Sequence, residues 1–287
     1  MKYIIYDNDL DGMLSAYYLS LFVNATPILY TELKEKRVKK IYYVDKAIDL
    51  IKKEIVFMDL KPSRIEIYDH HLSGDFNLAD LTTLESSIIL ELNTPSTFYI
   101  VSRHYNNPII KKSFNKKFGN LIRYMHKVEN ERFDKFNNKD WFFYFNFYSL
   151  IKKLSNYNLK YKLRTLSTLY EKVEVNNDYI EKMKEKTYQE VIEKTRILFR
   201  NKNYTILNLY DNCITLYLPY FFKNKNYFAI YKRNNSYHAQ FRVNNLELFK
   251  LILENFEGGG RKIFGKERYI GVIHFNNKDE LLKILKS

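Results

Sequence analysis

Residues 2–12 read KYIIYDNDLDG: Lys2–Tyr6 is a short apolar run, and Asp7, Asp9 and Asp11 follow on alternate positions before Gly12. A run of this length stopped by an acidic turn reads as a strand. Gly12–Val23 (GMLSAYYLSLFV) then has helical length and spacing. Ile55–Met58 (IVFM) reads as another strand ending at Asp59, and Ile65–Tyr68 (IEIY) as a third ending at Asp69-His70-His71. Strands and a helix in this order, with acids just past each strand's C-terminal end, define an open α/β sheet. Ligands of such sheets lie beyond the carboxyl ends of the strands. Three strand ends therefore deliver carboxylates and imidazoles to one crevice.

Working outward, residues 109–200 are mostly helical, with Lys/Glu-rich faces, and Lys182–Phe199 has the pattern of an amphipathic helix. From residue 203 the pattern turns to strands: Tyr204–Tyr210, Ile214–Phe221, Tyr227–Lys232 and Ser236–Val243. A helix, Leu246–Phe256, runs into Gly258-Gly259-Gly260-Arg261, read as a loop; a strand, Tyr269–Phe275, and a helix, Lys278–Lys286, follow. The expectation is two α/β domains joined by helices. A metal-binding domain with a parallel sheet and a helical part spans 1–180, a connecting helix spans 181–202, and a smaller domain spans 203–287.

The composition is that of a globular protein, with 46% hydrophobic and 28% charged residues in 287. Cys213 is the lone cysteine, which excludes a disulfide framework and a Cys-based zinc site. No apolar run reaches the ~18 residues of a membrane span, and Asp7 follows the start too soon for a secretory signal. A cytoplasmic protein is expected. The net charge of +14 invites a polyanionic partner. Lys-rich surfaces also follow from host codon usage and heat adaptation, so charge alone leaves the partner open. The 26 Tyr and 21 Phe are able to stack on bases, but most must serve ordinary packing.

Asp7, Asp9 and Asp11 on one turn repel one another, and a divalent cation removes that cost. Oxygen donors suit Mg²⁺ or Mn²⁺, and an added imidazole favours Mn²⁺. A calcium loop is the alternative for D-x-D-x-D-G, but its twelfth position, counted from Asp7, is Tyr18 and not Glu. His70 and His71 diverge as neighbours, so one binds metal and the other faces a phosphate or a proton. Asp59 is a further candidate ligand, bridging two ions.

DNDLDG, FMDL and YDHH, in this order and spacing, resemble the DHH phosphoesterase superfamily. That group includes RecJ-type exonucleases, nanoRNases, adenosine bisphosphate phosphatases, cyclic-dinucleotide phosphodiesterases and manganese pyrophosphatases. Tyr237–Arg242, a helix and then Gly258–Arg261 resemble the DHH-associated substrate-binding domain, in which an Arg-bearing strand precedes a GGGH loop. The resemblance covers both ends of the chain.

It implies that Asp7, Asp9, Asp11, Asp59 and His70 are metal ligands, that His71 faces substrate, and that His71, Asp9 and Asp11 serve catalysis. The fourth motif falls at Glu129, with Asp134 as the alternative, where the family has Asp. Arg261 replaces the family's His, and Gly265 follows one residue early. Arg242 and the Gly258–Arg261 segment would hold a phosphate. For the glycines the bland alternative is a turn after the helix, and for Arg242 a surface position. His126 is a candidate supporting residue; His104, His238 and His274 are read as ordinary.

The implied activity is hydrolysis of phosphoesters with two Mn²⁺ ions, or Mg²⁺ in their place. The expected substrate is short single-stranded RNA or DNA, cut to mononucleotides, because the chain has no room for the nucleic-acid-binding module of RecJ-type enzymes. Two rivals stay open: a small-nucleotide phosphatase or cyclic-dinucleotide phosphodiesterase, and a non-catalytic scaffold like the degenerate DHH-type subunit of replicative helicases.

Overall fold

Alternation along β1 (Lys2–Tyr6) sends Ile4 and Tyr6 into one apolar layer and Ile5 into another, so this strand is buried on both faces. The computed structural model describes residues 1–34, 37–46, 48–58, 60–73, 85–222, 225–233 and 236–286. They divide into two compact units. The first takes residues up to His71 and from 85 to Ile180; the second takes Leu72–Ser73 and residues 181–286.

After β1 come α1 (Leu10–Ser20), β2 (Thr26–Ile28), β3 (Arg37–Val38), β4 (Lys40–Val44), α2 (Ile48–Phe57), β5 (Lys61–Pro62) and β6 (Arg64–Asp69). β7 (Leu72–Ser73) belongs to the second unit, and β8 (Glu85–Leu90) to the first. The first unit's main sheet has the order β2-β1-β4-β6-β8 with every pair parallel, and β3 pairs with β5 beside it. An all-parallel sheet needs cover on both faces. One layer sets Ile4, Tyr42, Val44 and Tyr68 against α1, and the other sets Ile5, Ile41, Tyr43, Ile65 and Ile67 against Ile48 and Ile51 of α2.

The helices α3 (Thr97–His104), α4 (Pro108–Glu129), α5 (Asn138–Lys153), α6 (Leu159–Lys172) and α7 (Asn177–Glu193) follow. Asn107 caps α4 by accepting from the amides of Ile109 and Ile110, and Pro108 occupies its first turn, where a missing N–H costs nothing. The far end of α4, which carries Glu129, is tied down by the buried Asp140 of α5. Asp140 accepts from Lys127 Nζ at 2.6 Å, from the Tyr170 hydroxyl at 2.5 Å and from the Asn137 amide at 2.9 Å.

The second unit adds β9 (Thr195–Arg200), β10 (Thr205–Leu209), α8 (Leu218–Phe221), β11 (Tyr227–Arg233), β12 (Ser236–Val243), α9 (Leu246–Asn255), β13 (Glu257–Lys262), β14 (Tyr269–Phe275) and α10 (Lys278–Lys286). Its sheet runs β7-β13-β14-β12-β11-β10-β9, antiparallel except for β10 with β11. Phe249 and Ile252 of α9 and Leu281 and Leu285 of α10 pack on Phe228, Ile230, Phe241 and Ile273. Among the described residues no helix is long and apolar enough to cross a membrane.

Four local expectations fail. IVFM is the end of α2 and no strand: Ile48, Ile51 and Ile55 recur at helical spacing and face the sheet. The strand in this region is β4, four of whose five residues are buried. The helix expected over Lys182–Phe199 stops at Glu193, because TRILFR pairs as β9 with β10. Ile214–Phe221 forms a short 3₁₀ turn and α8, with Pro219 in the first turn of α8. Gly258–Arg261 is no loop either but part of β13. A Cβ at Gly258 would stand 2.2 Å from the Val272 carbonyl oxygen, and one at Gly260 2.4 Å from that of Ile270. The glycines allow close strand contact. Asp140→Ala should lower unfolding free energy by about 2 kcal/mol by removing the acceptor of the Tyr170 hydroxyl and the Asn137 amide, and Tyr170→Phe by about 1 kcal/mol; urea melts measure both.

Candidate metal centre

The acidic turn after β1 is built by close backbone approach. A Cβ on Gly12 would lie 2.4 Å from the Asp7 carbonyl oxygen, so only glycine lets the chain fold back into α1 there. Asp9 caps α1, its Oδ1 accepting from the Gly12 amide at 2.8 Å. Asp11 is buried in the first turn. Its two oxygens accept from the amides of Thr97, at 2.7 Å, and Phe98, at 2.8 Å, so the N-terminus of α3 is anchored on this carboxylate.

Asp45, directly after β4, completes the group, and the sequence reading missed it. It is buried with φ of 58°, a left-handed conformation that costs a non-glycine residue roughly 1–2 kcal/mol. Its Oδ1 accepts from Thr97 Oγ1 at 2.9 Å and lies 3.5 Å from His70 Nε2. His70 is buried, and its Nε2 is 3.9 Å from Asp11 Oδ2. His71 is half-buried; its Nδ1 is 2.6 Å from Asp69 Oδ1 and 4.0 Å from Asp45 Oδ1. The other oxygen of Asp69 is buried with no hydrogen-bond partner among the described residues.

Among the described residues two sets of potential ligands result, each with its donor atoms within 4.8 Å of one another: Asp11, His70 and Glu129, and Asp45, His70 and His71. His70 is common to both. Of the fourth-motif alternatives, Glu129 enters the group, while Asp134 is exposed in the 3₁₀ turn Phe133–Lys135. Asp59 lies outside the described residues. His126 contacts Ser96 Oγ at 3.1 Å, and Ser96 caps α3 by accepting from the Tyr99 amide, so His126 supports the helix that holds Asp11.

The electrostatics are those of an uncompensated acidic site. Asp9 is an exposed residue, but the protein packed around its carboxyl, then Glu129 and Asp7, raise its pKa to about 7. Burial, then Glu129 and Asp9, hold Asp11 well above the carboxylate range. Burial, then Asp11, Asp9, Glu129 and Asp69, do the same to Asp45. Carboxylates with an imidazole are a donor set for Mn²⁺ or Mg²⁺, and the bare oxygen of Asp69 and the crowded charge fit a bound cation. Asp7 differs. It is 44% exposed and pairs with the buried Lys46, whose Nζ is 3.1 Å from its Oδ1. Lys46 also pairs with Glu54 and lies over the Tyr30 ring, 4.8 Å from its centroid. Burial disfavours the charge of Lys46, but Asp7 and Glu54 outweigh it, and its pKa lies above the ordinary value.

The remaining expected residues lie in the second unit. Arg242 is fully buried, not a surface position, and its Nη1 donates to the carbonyls of Pro219 at 3.2 Å and Phe222 at 3.0 Å. Burial, then Arg268, pushes its pKa down to about 9. Arg242 and the buried Arg261 both pair with Ile270 of β14, one from each side, so they share a face of the sheet. Gly259 and Gly260 pair with Ser73 and Leu72 of β7.

No protein-family model and no curated protein matches the chain. Among solved structures, it is similar to the DHH domain of a protein described as a member of a family of ribosomal proteins. The TM-score is 0.47 at 10% identity, over 99% of this chain and 85% of that one. It is also similar to the pGpG-specific phosphodiesterase PggH from Vibrio cholerae. There the TM-score is 0.35 at 12% identity, over 99% and 97% of the two chains. The functional reading therefore rests on the chain's own residues.

The raised pKa values set a sign for stability. A carboxyl whose folded pKa exceeds its unfolded value stabilises the fold below the unfolded pKa and loses that contribution as pH rises through the folded one. For Asp9 the window runs from 3.8 to about 7. The metal-free protein should thus lose thermal stability across that window, and Mn²⁺ at pH 7.5 should restore it. Asp45→Asn, which keeps an oxygen for the Thr97 hydroxyl and suits the left-handed backbone, should raise the melting temperature of the metal-free protein at pH 7.5 and blunt the Mn²⁺ effect; thermal melts with EDTA or Mn²⁺ read both.

Proposed function

We propose that this chain is a DHH-type, metal-dependent phosphodiesterase of the cytoplasm that releases mononucleotides from short single-stranded RNA or DNA. The observation that carries the reading is the convergence of Asp11, Asp45, His70, His71 and Glu129 at the carboxyl ends of β1, β4 and β6 and the end of α4. Nothing in folding alone calls for several crowded carboxylates around one buried imidazole; each raises the cost of the others. The basic balance of the chain favours a polyanionic substrate over a small neutral one.

Asp11, Asp45, His70 and Glu129 would hold the ion, with Asp9 beside them; Mn²⁺ suits the mixed donors, and Mg²⁺ is the alternative. When bound, a divalent ion supplies Lewis acidity towards a phosphoryl oxygen and towards water. The chain's own residues do the rest. Asp69 accepts from His71 Nδ1, which fixes the tautomer and leaves Nε2 for a phosphoryl oxygen or a proton. Asp9, beside the ion, would accept a proton from an attacking water. The buried amides of Thr97 and Phe98 keep Asp11 in place. Arg242 and the Gly258–Arg261 strand are proposed to hold a second phosphate of the substrate. Asp7, expected as a further ligand, lies outside both of these sets, and Lys46 bears directly on that.

The test is digestion of 5′-labelled RNA and DNA, from dinucleotides to twenty-mers, with Mn²⁺, Mg²⁺ or EDTA. Mononucleotide release only with metal is expected, and His71→Ala should lower kcat by about 10²–10³-fold. Turnover confined to mononucleotides or cyclic dinucleotides would replace the exonuclease by the small-substrate reading. Oligonucleotide binding without cleavage under any metal would replace it by the scaffold.

A further inference from the structure

The geometry points to Lys46 as a built-in cation that takes the place of a second divalent ion at Asp7, so that the chain holds one ion at this centre. The inference rests on the metal-dependent reading of the same site and goes beyond it to the number of ions.

Three observations converge. Both candidate ligand sets share His70, and among the described residues neither includes Asp7. Asp7 is instead engaged by the Lys46 ammonium at 3.1 Å. And Lys46 is no swinging surface lysine: its side chain is 3% exposed, held by Glu54 of α2 on another side and stacked over Tyr30. Ordering a Lys side chain is entropically costly, so a lysine fixed at three points serves the place it occupies.

Lys46 follows Asp45 directly, so the left-handed turn after β4 delivers a candidate ligand and a counter-charge from adjacent positions. A second divalent ion on the half-exposed Asp7 would sit beside this fixed positive charge, and the two like charges would repel. Lys46 neutralises Asp7 permanently and leaves Asp9, Asp11, Asp45 and Glu129 to a single ion near His70. In this reading Lys46 is a positioning residue: it touches neither ion nor substrate, and acts by withholding Asp7 from the ligand set.

The test is ion counting, not activity. The full chain, stripped with EDTA, is titrated with Mn²⁺ by calorimetry, and its metal content is measured after gel filtration. One ion per chain is expected. Asp7→Asn should change the affinity for that ion by less than about threefold, since only a ligand or its direct support carries a loss of about tenfold or more. The double variant Lys46→Met/Glu54→Gln, which leaves no buried charge behind, should bind a second ion. Two ions in the wild type, a tenfold loss in Asp7→Asn, or one ion only in the folded double variant would each overturn the inference. Because Asp7→Asn leaves the Lys46–Glu54 pair intact, it keeps the test decisive if the double variant does not fold. No ion in the wild type would overturn the metal-dependent reading itself, an outcome distinct from finding two.

Discussion

The hydrogen bonds from the Thr97 and Phe98 amides to Asp11 are the contact on which the first unit's site depends. They join the turn after β1 to the first turn of α3, across 86 residues of sequence. Thr97 Oγ1 then holds Asp45, and Ser96 with His126 holds the start of α3. A helix N-terminus carries unpaired N–H groups and partial positive charge. Here it offsets part of the cost of gathering the carboxylates, while burial first and their mutual repulsion second hold Asp9, Asp11 and Asp45 above the ordinary carboxylate range. The remainder is what a divalent cation would neutralise. Fold and proposed chemistry are thus linked through charge: the sheet brings acids together, one helix end makes them tolerable, and the centre stays acidic enough to bind an ion.

The positive charge around the centre is graded. Lys46 neutralises the outermost acid, Asp7, whereas Lys127 is committed to Asp140. The Lys127 pair is structural: Asp140 fixes α4 against α5 and α6 and thereby sets where Glu129 stands. Arg242 and Arg261 are separate again. Their buried placement on one face of the second sheet is unusual for arginines, which need hydrogen-bond acceptors when desolvated. Arg242 meets that need in part with two backbone carbonyls.

Much of this was legible in the sequence. β1 and β6 were, because short β-branched and aromatic runs stop at acids, and Asp11, His70 and Glu129, named as candidates there, lie together in the structure. Asp45 was not. IYYV followed by Asp45 carries the same signal as IEIY followed by Asp69, but IVFM followed by Asp59 carries it too. Only the placement of Ile48, Ile51 and Ile55 on one helical face separates the two. The GGG run misled for a related reason. Glycine marks both turns and close strand contacts, and only the clash of an added Cβ with Val272 or Ile270 decides between them. Lys46 was invisible, since nothing local distinguishes a lysine that will be buried against Asp7 and Glu54 from the many on the surface.

The central claim is that the acids gathered by Asp11 and His70 form a cation site. The most direct measurement is anomalous diffraction at the manganese edge from a crystal soaked in Mn²⁺. The account predicts a peak in contact with Asp11, Asp45, His70 and Glu129. No peak at that centre under saturating Mn²⁺, or peaks only at surface carboxylates, would contradict it.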